Sequence, residues 1–378
     1  MITQAPELSV GIEEEYFLVA LDTLDLAQNP PEQFMIDCTK ELDSRVSPEF
    51  MRSQIEVGTR PHASVQAAII ELSEMRQTIC EIAARYNLAP IAASTHPFAD
   101  YREQIPTHRH RYEELASDLG AAVKRLQICG CHVHVGIADD DMRIDIMNQA
   151  SYFLPHILAL STSSPFWHGE DTGLSSYRLC VFDALPRTGI PDVFESHGEY
   201  ERVISQLISA GCIEDASKIW WDIRPSSRYP TLEMRIADIC TNIQDTAAIA
   251  ATYQALISKL YRLRVNNQRW RIYPRLTLEE NRWRAMRYGT HGEMIDLGIG
   301  EAVPFPQLAH ELIDLLFDDA EQLGTLKELN HIKTIIKRGT STDRQRKIFE
   351  QAVVSGKNKD DALKAVVAHL IKETAIKI

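Results

Sequence analysis

The chain lacks paired cysteines of the kind that build a zinc ribbon or a dithiol redox centre. Its seven cysteines (Cys38, Cys80, Cys129, Cys131, Cys180, Cys212 and Cys240) are odd in number and scattered, and none stands in C-x-x-C spacing. That inventory fits a reducing compartment, so a cytoplasmic protein is expected. No basic-then-apolar leader opens the sequence, and no apolar run reaches the roughly 20 residues that a membrane span needs, so no membrane partner is expected. Excess positive charge is also missing. A net charge of −13 argues against a nucleic-acid partner. The common phosphate-binding loops are absent: there is no G-x-x-x-x-G-K-[ST] and no G-x-G-x-x-G opening a helix, and S-G-K at Ser355–Lys357 has no upstream glycine. The nucleophile elbow G-x-S-x-G is absent too. With no internal repeat and no composition shift, residues 1–378 read as a single domain, mostly helical from about residue 243.

What is present is organised around Gly11–Val19, G-I-E-E-E-Y-F-L-V. Its β-branched and aromatic residues predict a strand. Side chains alternate across a strand, so Glu13 and Glu15 share one face, roughly 7 Å apart along it, and Glu14 takes the other. Two carboxylates held that close raise each other's pKa unless a cation lies between them, and a hard divalent ion is the natural counter-charge. Taken alone, the stretch is read equally well as an exposed edge strand with solvated glutamates.

Three further strands repeat the pattern. Ser53–Thr59 carries Gln54 and Glu56 opposite Ile55 and Val57. Ile128–Ile137 carries His132 and His134 opposite Cys131, Val133 and Val135. Thr231–Asp238 carries Glu233 and Arg235 opposite Leu232, Met234 and Ile236. A neighbouring strand over Ile219–Arg224 adds Asp222 and Arg224. Half-buried alternation belongs to an antiparallel or mixed sheet with helices on one face. The fold class expected is α+β: a curved, mainly antiparallel sheet of about six strands backed by helices. Helices are expected over Ala63–Tyr86, Thr107–Leu126 (where His108–Arg111 reads as a solvated first turn), Asp139–Leu160, Val193–Gly211 and Asn242–Asn267. The long stretch Ser161–Pro191, rich in Gly, Ser and Pro but carrying Phe166, Trp167, Tyr177 and Phe182, is expected to be an ordered lid.

The four glutamates, two histidines and two arginines converging on one sheet face suit Mg²⁺ or Mn²⁺ and a polyanionic ligand such as a nucleotide triphosphate. A metal-dependent hydrolase built on H-V-H and the carboxylates is the alternative.

Several ordered motifs resemble the type 2 glutamate–cysteine ligases, also called carboxylate–amine ligases and related to glutamine synthetase. They are G-I-E-E-E-Y at Gly11, Q-I-E-V-G-T at Gln54, T-H-P-F at Thr95, G-C-H-V-H-V-G at Gly130, S-S-P-F-W at Ser163, P-T-L-E-M-R at Pro230 and N-R-W-R-A at Asn281. The resemblance implies a glutamine-synthetase-like sheet binding ATP with Mg²⁺ (or Mn²⁺), with Glu13, Glu15, Glu56, Glu233 and His132 as metal ligands. It implies Arg235 on the transferred phosphate. Arg224 and Arg228 become candidates for a substrate carboxylate or phosphate, Arg178 and Arg187 weaker ones, and His134 a member of the nucleotide face. It implies ATP-dependent joining of the γ-carboxylate of glutamate to an amine such as cysteine. A homodimer is the general expectation for such enzymes.

Overall fold

A computed structural model describes residues 6–107 and 119–377. Among these, the main sheet has seven strands: β1 (Val10–Ala20), β2 (Val46–Pro48), β3 (Gln54–Gly58), β4 (Leu88–Ile91), β5 (Cys131–Gly136), β6 (Ile223–Pro225) and β7 (Thr231–Met234). Their order is β6-β7-β5-β1-β3-β2, and every pairing is antiparallel. β1 is the long member. It pairs with β5 over Val10–Glu14, with β3 over Glu13–Phe17, and with β4 over Phe17–Ala20. Because β1 runs down the middle, its side chains reach both the strands to its left and those to its right.

Two helices cover one face. Helix α1 (Val65–Ala84) begins at Ser64, whose hydroxyl accepts from the Ala67 amide at 3.3 Å. Helix α2 (Ile243–Val265) begins at Asn242, whose side chain caps the Gln244 amide. Both are apolar where they meet β1 and β5: Leu72, Met75 and Ile79 from α1, and Ala248, Ala251 and Tyr253 from α2, are buried with Ile12, Tyr16, Val133 and Val135. Fully burying an aliphatic or aromatic side chain contributes about 1.5–3 kcal/mol. The Tyr253 hydroxyl donates to the Leu232 carbonyl at 3.2 Å and ties α2 to β7. The opposite face of the sheet is left as the floor of a cleft.

Several expectations are corrected. The helix over Asp139–Leu160 is interrupted: Asp140–Ala150 gives way to a 3-10 turn at Ser151–Phe153 and then Leu154–Ser161, because Pro155 has no amide to continue the ladder. The strand over Ile219–Arg224 breaks at Asp222. Trp220–Trp221 pairs in parallel with Thr188–Gly189, outside the main sheet. The Arg235 and Ile236 amides both bond to the Asp222 carbonyl, a two-against-one arrangement like that of a bulge. The stretch 161–191 is ordered but is not a lid. Ser161–Ser164 and Arg178 are buried, and Ser163, Ser164 and Ser176 all donate to the buried Asp238 carboxylate. Opening it would strip that carboxylate of its partners. A helix at Glu32–Leu42 and a hairpin of Glu293–Asp296 with Glu301–Pro304 were not anticipated. The expected helix at Thr107–Leu126, with its His108–Arg111 cluster, lies largely outside the described residues.

Candidate active site

The register of the sheet assembles the cleft floor. Glu15 lies opposite Glu56, and Glu13 is flanked by Gly58 and His132. Glu233 is flanked by His134 and Arg224. Each pair shares a face, since directly opposed residues in a sheet point the same way. The cleft above them holds about 1600 Å³, more than the about 300–1,000 Å³ of a site for one small ligand.

Two clusters of donor atoms result. Oxygens of Glu13 and Glu233 and a ring nitrogen of His134 lie within 4.8 Å of one another, and so do oxygens of Glu15, Glu49 and Glu56. His132 bridges them, with Nδ1 3.2 Å from Glu13 Oε2 and Nε2 3.9 Å from Glu15 Oε1. His134 places Nε2 3.4 Å from Glu13 Oε1 and Nδ1 3.0 Å from the Thr231 hydroxyl. Glu49 was missed in the sequence because it sits in the turn between β2 and β3, where no alternation marks it.

The clusters differ electrostatically. Burial opposes ionisation of Glu13, but hydrogen bonds from His132 and His134 outweigh it and hold the carboxyl well below its ordinary value. Burial also opposes ionisation of Glu233, and the Arg235 and Arg224 charges overcome it. Burial, followed by the Glu49 charge, pushes Glu15 up to about 8. The same two causes push Glu56 well above its ordinary value. Burial and Arg235 depress His132 to about 4, so its ring is neutral and keeps a lone pair. The Nε2 atoms of His132 and His134 are buried without a well-aligned hydrogen bond. Orphaned imidazole nitrogens beside undercompensated carboxylates fit a hard divalent cation.

Arginines border the floor. Arg224 donates through Nε to Glu233 Oε2 at 2.9 Å, and Arg235 bonds the other Glu233 oxygen. Arg235 also approaches His132 Nδ1 at 3.4 Å. Arg178 is buried in the cleft wall and donates to the Arg235 and Ile236 carbonyls. A Cβ at Gly130 would meet its guanidinium at 2.4 Å, so a larger residue there must displace Arg178. Arg228 lies exposed at the rim. Two expectations fail. Asp222 is not on this face: it is buried against Arg282, 2.6 Å away, because the strand breaks there. Arg187 is not among the cleft-lining residues: it stacks on Trp220 and donates to the Lys218 carbonyl.

The model of the glutamate–cysteine ligase family 2 matches residues 9–369. The chain belongs to that family. A Rhodospirillum rubrum protein provisionally named glutamate–cysteine ligase 2 is 53% identical over 98% of this chain and 96% of its own length. One from Jannaschia sp., of the same provisional name, is 50% identical over 97% and 96%. Among solved structures, the glutamate–cysteine ligase of Francisella tularensis in complex with AMP superposes with a TM-score of 0.69 at 14% identity, covering 97% of this chain and 92% of that one. A bifunctional glutathione synthetase from Pasteurella multocida gives 0.70 at 16%, covering 97% and 52%. At such identities the structural likeness speaks for the fold. A family 2 member is an ATP-dependent ligase forming C–N bonds, which removes the hydrolase alternative. No described helix is long and apolar enough to cross a membrane.

Proposed function

We propose that this family 2 ligase activates the γ-carboxylate of glutamate as an acyl phosphate at the expense of ATP, and that an amine, cysteine or another amino acid, then displaces phosphate to form the amide. The observation that supports it most is the register that sets Glu13, Glu15, Glu56, Glu233, His132 and His134 on one cleft floor. Glu13, Glu15, Glu56, Glu233 and His132 would hold Mg²⁺ or Mn²⁺, with Glu49 and His134 completing the two clusters. A bound divalent ion supplies charge neutralisation for the β- and γ-phosphates.

This chain's own residues do the rest. Arg235 sits within reach of both Glu233 and His132, and a planar guanidinium there can grip a phosphoryl oxygen as it transfers. Arg224 fixes the Glu233 carboxylate in one orientation. Arg228, at the rim, is available to a substrate carboxylate or phosphate. Substrates filling the cleft above this half-buried floor would keep water from a reactive acyl phosphate. Cytoplasmic location and a homodimer belong to the same proposal. ADP release with Mg-ATP, glutamate and a panel of amines including cysteine tests it. Amine-dependent ADP production is expected, and its absence with every amino acid would overturn the substrate assignment.

A further inference from the structure

Beside the cleft lies a second cavity of about 840 Å³. The two share a wall made of Ser217, Lys218, Ser226, Ser227 and Arg228. Lys218 is the unusual member. It is 5% exposed, and lysine is almost never buried unless paired. Its Nζ has no hydrogen-bond partner among the described residues, and its ion pair is a loose one, with the exposed Glu214 carboxylate 3.5 Å away.

The backbone around this lysine is held firmly. Arg224 donates through one nitrogen to the carbonyls of both Ser217 and Ile219, and Arg187 donates to the carbonyl of Lys218 itself. The Lys218 amide bonds to the Asp215 carbonyl at 3.2 Å. Three successive carbonyls are thus pinned by two guanidiniums, while the ammonium they position has only the exposed Glu214, 3.5 Å away, as a counter-charge among the described residues. The neighbouring guanidiniums have closer partners, Arg224 and Arg235 on Glu233 and Arg178 on two carbonyls, although the Nε atoms of Arg178 and Arg235 are also without one. Arg224 also links this segment to the cleft floor, since the same side chain grips Glu233.

A buried ammonium whose one carboxylate partner is distant and solvent-exposed is left weakly compensated, and a closer anion relieves that cost. Resting on the ligase reading above, we propose that Lys218 is a specificity-determining residue that binds the α-carboxylate of an amino-acid substrate at the junction of the cleft and the adjoining cavity. An ammonium suits that ligand: a compact charge on a flexible stem can meet a carboxylate entering from either side. The α-carboxylate belongs either to glutamate or to the acceptor amino acid, and two analogue pairs separate the sources. 4-Aminobutyrate is glutamate without its α-carboxylate. Cysteamine is cysteine without its own.

The test is calorimetric titration of the full chain with Mg²⁺ and a non-hydrolysable ATP analogue present, so that binding is read without turnover. Wild type and K218M are titrated with both members of each pair, and cysteine and cysteamine with glutamate also present. In wild type, the carboxylated member of one pair is expected to bind about tenfold or more tightly than its analogue, as for a charged hydrogen bond. In K218M that ratio should fall to near one, while nucleotide affinity stays unchanged; K218R should keep most of it. Collapse in the glutamate pair assigns the site to glutamate, and collapse in the cysteine pair to the acceptor. K218M should fold with an equal or higher thermal midpoint, because it removes a buried charge that only the exposed Glu214 compensates. Unchanged ratios in both pairs would overturn the proposal, as would a large loss of stability in K218M, which would mark the residue as structural. A wild type that binds these amino acids yet shows no amine-dependent ADP release would sink the ligase chemistry and leave the carboxylate site standing.

Discussion

Three consecutive glutamates on β1 lead opposite lives. Glu14 points under the helices and is fully enclosed, and all its needs are met there. Arg76 of α1 grips both oxygens, at 2.6 and 2.7 Å, while Tyr16 and Thr246 donate as well. Arg76 spends its remaining donors on the Cys240 and Thr241 carbonyls. Glu13 and Glu15 point into the cleft, where Glu13 meets only two imidazoles and Glu15 one backbone amide, that of Gly130 at 2.6 Å, and no arginine is hydrogen-bonded to either among the described residues. Burial alone does not separate the two faces cleanly, since Glu15 and Glu56 are themselves half-buried on the cleft floor. Satisfaction does. A charge whose partners are all supplied by the fold is architecture, and one whose partners are missing is a site.

The sharpest way to break that contrast is at Arg76. R76M should leave Glu14 buried without its cation and cost about 3–5 kcal/mol, read as a lower urea midpoint, whereas the double variant E14L/R76M should recover most of the loss. On the cleft face the outcome inverts. E56Q should lower ADP production by about a hundredfold or more, yet leave the metal-free thermal midpoint equal or higher, because it removes one of the crowded acids. G130A is a smaller perturbation. Its methyl group must displace Arg178, an overpacking cost of about 1–3 kcal/mol, and turnover should fall with it.

The gentlest probe is pH. The Glu15 carboxyl is raised from 4.5 to about 8, chiefly by burial and then by Glu49. A raised carboxyl contributes stability fully present below 4.5 and lost as pH rises through about 8. The metal-free protein should therefore lose thermal midpoint across that window, and Mn²⁺ should flatten the slope by taking the place of the proton. His96 runs the other way. Burial lowers it from 6.5 to about 3, so its contribution is present above pH 6.5 and fades as pH falls towards 3.

The cleft floor was legible because alternation is a local signal. Glu13, Glu15, Glu56, His132, His134 and Glu233 all lie on strands of period two, and Arg235 follows one residue beyond the end of β7. Features that depend on partners far along the chain were not legible. The partner of Glu14 lies 62 residues away on a helix whose apolar pattern gives no reason to single out Arg76. Glu49 lies in a turn and Lys218 in a single 3-10 turn, where no period exists to place a side chain. Asp222 was misplaced because one broken pairing ended the alternation on which its assignment rested. The stretch 161–191 reads as a lid because it is long and irregular yet rich in aromatics, whereas Ser163, Ser164 and Ser176 serve a buried carboxylate.

The run of identical acids on β1 also bears on how the chain avoids misfolding. A slippage of one residue would still present glutamate to both faces, so composition hardly distinguishes the right alignment from the wrong one. The count does. The wrong alignment sends two acids towards a helix layer that offers one guanidinium, and turns Ile12 and Tyr16 out into the wet groove. Arg76 thus acts as a proofreader of strand alignment, accepting a single carboxylate and rejecting a pair.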